Sequence, residues 1–419
     1  MSGIKMSTTA MKSSGVEWIG DIPEGWGITK VKFHARIVAG ATPKSNEPMF
    51  WNGDIPFVSA ADYLTEDHYI SDWSKTITTE GMNSCATSLL PEDSVVVSNR
   101  APIGLVAIVD RPICTNQGCK GLVFTNSRIN NEFVYRALSV CDDRLNALGN
   151  GTTYQELSRQ SLADFCLPLP PLFEQQQIVQ YLDDKCAAID ADIEKRRAIV
   201  EKLCEYRIAS ISRTVSGNAC GLDNSHWTWK RFKFIAHVDA NLVHPDRYQD
   251  WLHICPEVIG KGNGRLLDKR TVAEGNVISD NHLFNKDAIL YSKVRPALNK
   301  VTIAPDRGLC SADMYPISTS QVADWLFYYM LSDQFVAQTR LMSENRIKMP
   351  KINKQELGDV RILVPPLEDQ VTIASNLNYQ CAAIDKCIER QQQLIDKLEE
   401  YRACLIHLAV TGKIDCKEA

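Results

Sequence analysis

Residues 170–190 read PPLFEQQQIVQYLDDKCAAID, and residues 365–385 read PPLEDQVTIASNLNYQCAAID. At a constant offset of 195, Leu162 matches Leu357, Asp164 matches Asp359, Leu203 matches Leu398, Tyr206-Arg207 matches Tyr401-Arg402 and Gly217 matches Gly412. The match runs without a gap for about fifty residues, so the chain is built on an internal duplication. Within the first copy Ile178, Leu182, Ile189, Ile193, Val200 and Leu203 recur at steps of four, seven and three. Ile373, Leu377, Ile384, Ile388, Ile395 and Leu398 repeat that register. A period near 3.5 is a heptad seam, which predicts two long helices that pack against each other rather than each on its own domain. Pro170-Pro171 and Pro365-Pro366 bar the preceding residues from the helix and mark its start. Glu174 and Asp369 place negative charge in the first turn, where the helix dipole favours it. Gly217 and Gly412 supply the left-handed stop.

The duplication reaches further, but thinly. WGITKVKF at 26–33 aligns with WTWKRFKF at 227–234 at an offset of 201. Pro102 lines up with Pro296, and Cys114-Thr115 with Cys310-Ser311. Between these points the halves share almost nothing. Segments such as SVVVSN, IGLVAIVD, KGLVFTN, DAILYSKV and NKVTIAPD read as strands, and NEFVYRALSV and VADWLFYYMLSD as single helices. The fold class is therefore α+β: two β-rich blocks separated by two long, antiparallel paired helices, with an internal pseudo-two-fold repeat. The boundaries fall at 1–168 and 219–363 for the blocks, and at 169–218 and 364–419 for the helices. Helices of some forty residues, about 60 Å long, act as a ruler between the blocks.

Composition narrows the function. A chain of 419 residues with 44% hydrophobic and 23% charged content reads as a multidomain soluble protein. No apolar run is long enough for a membrane span, and the polar N-terminus lacks a signal peptide's apolar core, so a cytoplasmic protein is expected. Fourteen cysteines without a single CxxC read as reduced thiols used as small hydrophobes. There is no phosphate loop. GKGNG at 260–264 lacks the dinucleotide spacing, the eight histidines form no HExxH, and no amino-methyltransferase tetrapeptide occurs. Catalysis by this chain is not expected. The net charge of −5 does not advertise a nucleic-acid binder. Residues 1–165 hold 14 basic against 18 acidic residues, a balance of −4, and residues 220–360 hold 18 against 16, a balance of +2. Charge alone leaves DNA binding open.

The order of parts resembles the specificity subunit of type I restriction–modification systems over essentially the whole chain. The resemblance is carried by EWIGDIPEGW at 17–26, GATPKS at 40–45, LPLPPLFEQQQIVQYLD at 167–183, VPPLEDQ at 364–370 and KLEEYRACLIHLAVTGKID at 397–415. One local departure is Leu-Phe-Glu-Gln in the first helix start against Leu-Glu-Asp-Gln in the second; the constant offset makes it a substitution, not an insertion. The resemblance implies two domains that each read half of a split, asymmetric duplex DNA target, while the helices fix their separation and dock methyltransferase subunits, two in number. A restriction subunit is a further implied partner. No cofactor is expected on this chain, since S-adenosylmethionine, ATP and Mg would belong to partner subunits, and no metal site is expected. The alternative from another class is a scaffold whose paired domains bind protein.

Candidate base and phosphate contacts are amide, hydroxyl and basic side chains at loops beside the strand-like runs. In the first block these are Lys44, Asn99, Arg100, Asn116, Gln117, Lys120, Thr152 and Thr153. In the second they are Lys293, Arg295, Lys300, Asn345, Arg346 and Lys348. The target bases and spacer length are not written in any of these residues.

Overall fold

A computed structural model describes residues 6–63, 68–150, 155–219, 221–343 and 350–416. The duplicated segments are two 44-residue helices, Leu172–Val215 and Leu367–Val410. Both start directly after the paired prolines, and both end at a glycine in the left-handed region, Gly217 at φ +79° and Gly412 at φ +72°. A side chain there would be strained, and a Cβ on Gly412 would also press within 2.6 Å of the Pro23 ring.

The chain divides into two compact units, each drawing on both helices: residues 1–194 with 395–419, and residues 195–394. In the first unit the first helix's Ile178, Leu182, Ile189 and Ile193 share a core with Ile395, Leu398, Leu405, Ile406 and Val410 of the second helix. In the second unit Ile211 and Val215 share a core with Ile373, Leu377 and Cys381. Polar contacts fix an antiparallel register. Arg402 meets Asp190 at 2.9 Å in the first unit, and Arg207 meets Asp385 at 3.1 Å in the second. These two pairs are the same pair under the 195-residue offset. Arg196 donates to Gln391, its own equivalent, at 3.0 Å.

The divergent blocks fold onto one frame. In the first unit Ala35–Ala39, Cys119–Phe124, Val95–Ser98 and Val106–Val109 lie side by side in that order, all antiparallel. In the second unit Ala236–Val238, Met314–Thr319, Ile289–Ser292 and Val301–Ile303 repeat the order and the directions. The third strands, VVVS and ILYS, are buried at every residue, which is why they read as continuous apolar runs. Cys114-Thr115 pairs in parallel with Phe57-Val58, as Cys310 does with Ile254, so the cysteine alignment marks a shared turn of the fold.

Each block is tied to its helix start by a strand pair: Gly27–Lys30 with Cys166–Leu169, and Thr228–Arg231 with Arg361–Val364. The Trp26 indole donates to Glu174 Oε2 at 2.9 Å, and the Trp227 indole to Asp369 Oδ2 at 3.1 Å. The first-turn acids therefore accept an indole N–H as well as lying at the positive end of the helix dipole. Gln175 and Gln370 are fully buried, and each donates to the carbonyl of the first proline of its pair at 2.9 Å. Each also accepts the N–H of the residue leading into a helix of its block, Asn130 at 2.8 Å and Val322 at 3.0 Å. This equivalence confirms that the differing helix starts are a substitution. Among the described residues no helix is long and apolar enough to cross a membrane.

Candidate nucleic-acid interface

The first block's described candidates meet around one carboxylate. Glu156 accepts from Asn99 Nδ2 at 2.8 Å and from Arg100 Nε at 3.2 Å, and Lys120 Nζ stands 3.5 Å away. Backbone pairing brings them there: Leu157 N–H donates to Asn99 O at 2.9 Å, and Asn99 N–H to Gly118 O at 2.9 Å. The Asn116–Gly118 turn is closed by Asn116 Oδ1, which accepts the Gly118 N–H at 2.9 Å. Gln117 Oε1 accepts the Thr42 hydroxyl at 2.5 Å, which joins the GATPKS loop to the group. Gly40 begins that loop because nothing larger fits: a Cβ would lie 2.0 Å from Asn116 O. Lys44 stands exposed further along the same loop.

Burial divides this group. Asn99 and Lys120 are buried, and their polar heads are held by Glu156. Burial pushes the Lys120 ammonium below the ordinary lysine value, and the Glu156 carboxylate opposes that shift. Arg100 and Gln117 are exposed. Arg100 and Lys120 against Glu156 leave one net positive charge.

The second block repeats the backbone and changes the side chains. Ile352 N–H donates to Lys293 O at 2.9 Å, and Lys293 N–H to Asp313 O at 3.0 Å, the counterparts of the Leu157–Asn99 and Asn99–Gly118 bonds. The isolated bridge between Arg100 and Glu156 becomes one between Val294 and Lys351. Here the carboxylate is Asp313, with Lys351 Nζ at 3.0 Å and Lys293 Nζ at 3.9 Å. Lys293 also lies 5.5 Å from the Tyr315 ring centre, over its face. Arg295 is exposed, in the left-handed region at φ +49°, with its N–H donating to Pro350 O at 2.8 Å. Lys293, Lys351 and Arg295 against Asp313 leave two net positive charges. Lys300 does not join them, because its ammonium donates to the Pro256 carbonyl. Thr152, Thr153, Asn345, Arg346 and Lys348 lie outside the described residues.

Sequence reasoning missed Glu156, Asp313 and Lys351, the residues that organise these groups. Glu156 and Lys351 stand 195 apart, but their opposite charges hide the equivalence. Among the described residues no cluster of three or more histidines, cysteines or carboxylates could hold a metal ion.

The family model described as "Type I restriction modification DNA specificity domain" matches residues 23–201 and again 259–400. The chain is 23% identical to the type I restriction enzyme MjaIX specificity subunit of Methanocaldococcus jannaschii, with 96% of each chain covered. It is 27% identical to the type I restriction enzyme EcoDI specificity subunit of Escherichia coli, over 68% of this chain and 70% of that one. A solved structure titled for the complex assembly and conformational transition of the type I R-M system superposes with a TM-score of 0.62. It shares 16% identity and covers 94% of this chain and 99% of that one, a likeness of fold.

Proposed function

The chain belongs to the type I restriction–modification DNA specificity family, and from that membership we propose how its two blocks divide the work. It is a specificity subunit: it recognises DNA and does no chemistry itself. Block 1–168 reads one half of a bipartite, asymmetric target, and block 219–363 reads the other.

The observation that carries this reading is the pair of loop groups around Glu156 and Asp313. Both sit on the same four-strand frame with the same backbone bonds, and both are net positive, yet their side chains differ. Equal frames with unequal loops are what two readers of different half-sites require. Exposed Arg100 and Gln117 in the first group, Lys44 on the adjoining loop, and Arg295 in the second group are of the types that contact base edges and phosphates. Buried Asn99 and Lys120 position the loops. A net charge of +1 or +2 per group is too small for tight binding alone, so methyltransferase subunits, two per chain, supply further phosphate contacts. The paired helices dock those subunits and set the spacer between half-sites. S-adenosylmethionine belongs to those partners, and the assembly works on cytoplasmic DNA.

Single-molecule methylation mapping of the host genome, with and without this chain, tests the reading. One bipartite, asymmetric, adenine-methylated motif should vanish with the chain. An unchanged map would overturn the assignment.

A further inference from the structure

In one of the few stretches outside the helices where the two halves align, a phenylalanine is held out into solvent twice. Phe33 is 64% exposed and Phe234 is 72% exposed. Each closes a single tight turn, Val31–Phe33 or Phe232–Phe234. The first residue of the turn is buried: Val31 at 2% exposure, Phe232 at 1%. Backbone bonds pin the turn at both ends. Val31 N–H donates to Phe165 O at 3.1 Å and His34 N–H to Val31 O at 3.0 Å. Phe232 N–H donates to Val360 O at 2.8 Å and Ile235 N–H to Phe232 O at 2.9 Å.

The cations beside the rings repeat too. Lys32 Nζ lies 5.6 Å from the Phe33 centroid and Lys233 Nζ 5.7 Å from that of Phe234. Asp164 holds Lys32 at 2.7 Å and Lys30 at 3.1 Å, while Asp359 holds Lys233 at 3.1 Å and Arg231 at 3.3 Å. Those contacts keep both carboxyls below the ordinary aspartate value.

One exposed apolar residue on a soluble protein is unremarkable in itself. The same ring, turn and charge triad in both halves is different, because the neighbouring positions have drifted. Ile28 is matched by Trp229 and His34 by Ile235. A patch that stays alike while the reading loops diverge meets the same partner twice. An exposed aromatic ring with a cation–carboxylate rim suits the apolar centre and polar edge of a protein contact. It suits a phosphate poorly, since the carboxylates already hold the cations. We propose that the Phe33 and Phe234 patches are two further, equivalent docking points, each adding to the helix contact of one copy of the methyltransferase subunit. The identity of that partner rests on the function proposed above.

The test uses the full chain with its methyltransferase subunit, followed by native mass spectrometry and titration. Phe33→Ala and Phe234→Ala should each weaken one of the two binding steps about tenfold or more, the scale of one interface hot spot. The double variant should weaken both. Melting temperatures should match the wild type, because neither ring is part of a core. A double variant that binds two copies at wild-type affinity would overturn the proposal. So would one that keeps the methyltransferase and loses only affinity for DNA, which would make the rings a DNA contact. Failure of the wild-type chain to bind the methyltransferase at all would overturn the proposed function together with this inference.

Discussion

Gln175 and Gln370 show how much one side chain organises in this chain. Each is fully buried at a helix start, accepts an N–H from the adjoining block and donates to a proline carbonyl. Gln175→Leu keeps the volume and leaves the Asn130 N–H and the Pro170 and Arg128 carbonyls without that partner. The first orphaned group costs about 1–3 kcal/mol. Urea unfolding should show a clear fall in midpoint, and an unchanged midpoint would mean that water replaces the amide. Glu156 is a second such residue. Glu156→Gln removes the charge that faces buried Lys120 and should disorder the reading of one half-site while the other survives in a methylation map. Relaxation of both half-sites together would contradict the assignment of one block to each. A third is Glu132, which accepts from His68 at 2.5 Å and from the Tyr69 hydroxyl. Burial pushes its carboxyl up, but these hydrogen bonds and Arg136 outweigh burial, and its pKa is net lowered. A lowered folded-state pKa gives stability that is present above the ordinary glutamate value near 4.3 and is lost as pH falls through the folded value. Glu132→Gln should therefore flatten the acid side of the stability profile, as read by thermal unfolding across acid pH. None of these roles is legible in a single sequence, because partners dozens of positions away along the chain decide them. Lys120 makes the point most sharply: its residue type suggests phosphate, and the fold buries it against Glu156.

At the scale of elements the sequence was far more readable. Proline pairs, first-turn acids, the 3.5 period and terminal glycines are local signals, and local signals fix where a helix begins, faces and stops. What the period does not convey is how deeply each seam position is covered. Ile395 and Leu398 are buried in the first unit, whereas their equivalents Val200 and Leu203 are only half-buried in the second. The interhelical arginines differ in the same way. The Arg207 side chain is 6% exposed and donates both to Asp385 and to the Asn263 carbonyl, while that of Arg402 is 29% exposed at Asp190. Removing one partner of a buried pair strands the other, at about 3–5 kcal/mol, and a solvent-screened pair is worth about 1 kcal/mol or less. Asp385→Ala should therefore destabilise the chain much more than Asp190→Ala, although the two residues are equivalent in the repeat. Thermal unfolding of the two variants compares them directly, and equal losses would refute the argument from burial.

At the scale of the whole molecule, the duplicated helices raise a question of interchangeability. The first unit is completed by residues 395–419, whose Leu405, Ile406, Ala409 and Val410 lie in its core. A fragment of residues 1–219 lacks them and leaves Ile189 and Ile193 uncovered, at up to about 1.5–3 kcal/mol for each fully buried aliphatic side chain. A second copy can offer its own residues 200–219 in the same register. The fragment should then form a two-fold homodimer, and with methyltransferase present it should direct methylation to an interrupted palindrome made of the first half-site. The substitute is not perfect. Where the native unit has Leu405 and Ala409, the second copy brings Ser210 and Thr214. Ser210 replaces a large apolar side chain in a closed core, so the dimer should be weaker than the packing of the intact chain. Ser210→Leu with Thr214→Ala restores the native core residues and should tighten the fragment dimer, as read by sedimentation across a dilution series. In the full chain the same pair of changes should not help, because there Ser210 donates to Gln380 at 2.9 Å in the second unit. If the unaltered fragment stays folded and monomeric, and the double change does not dimerise it, then the two helices are not interchangeable partners. The repeat would then be a relic of duplication rather than a working symmetry.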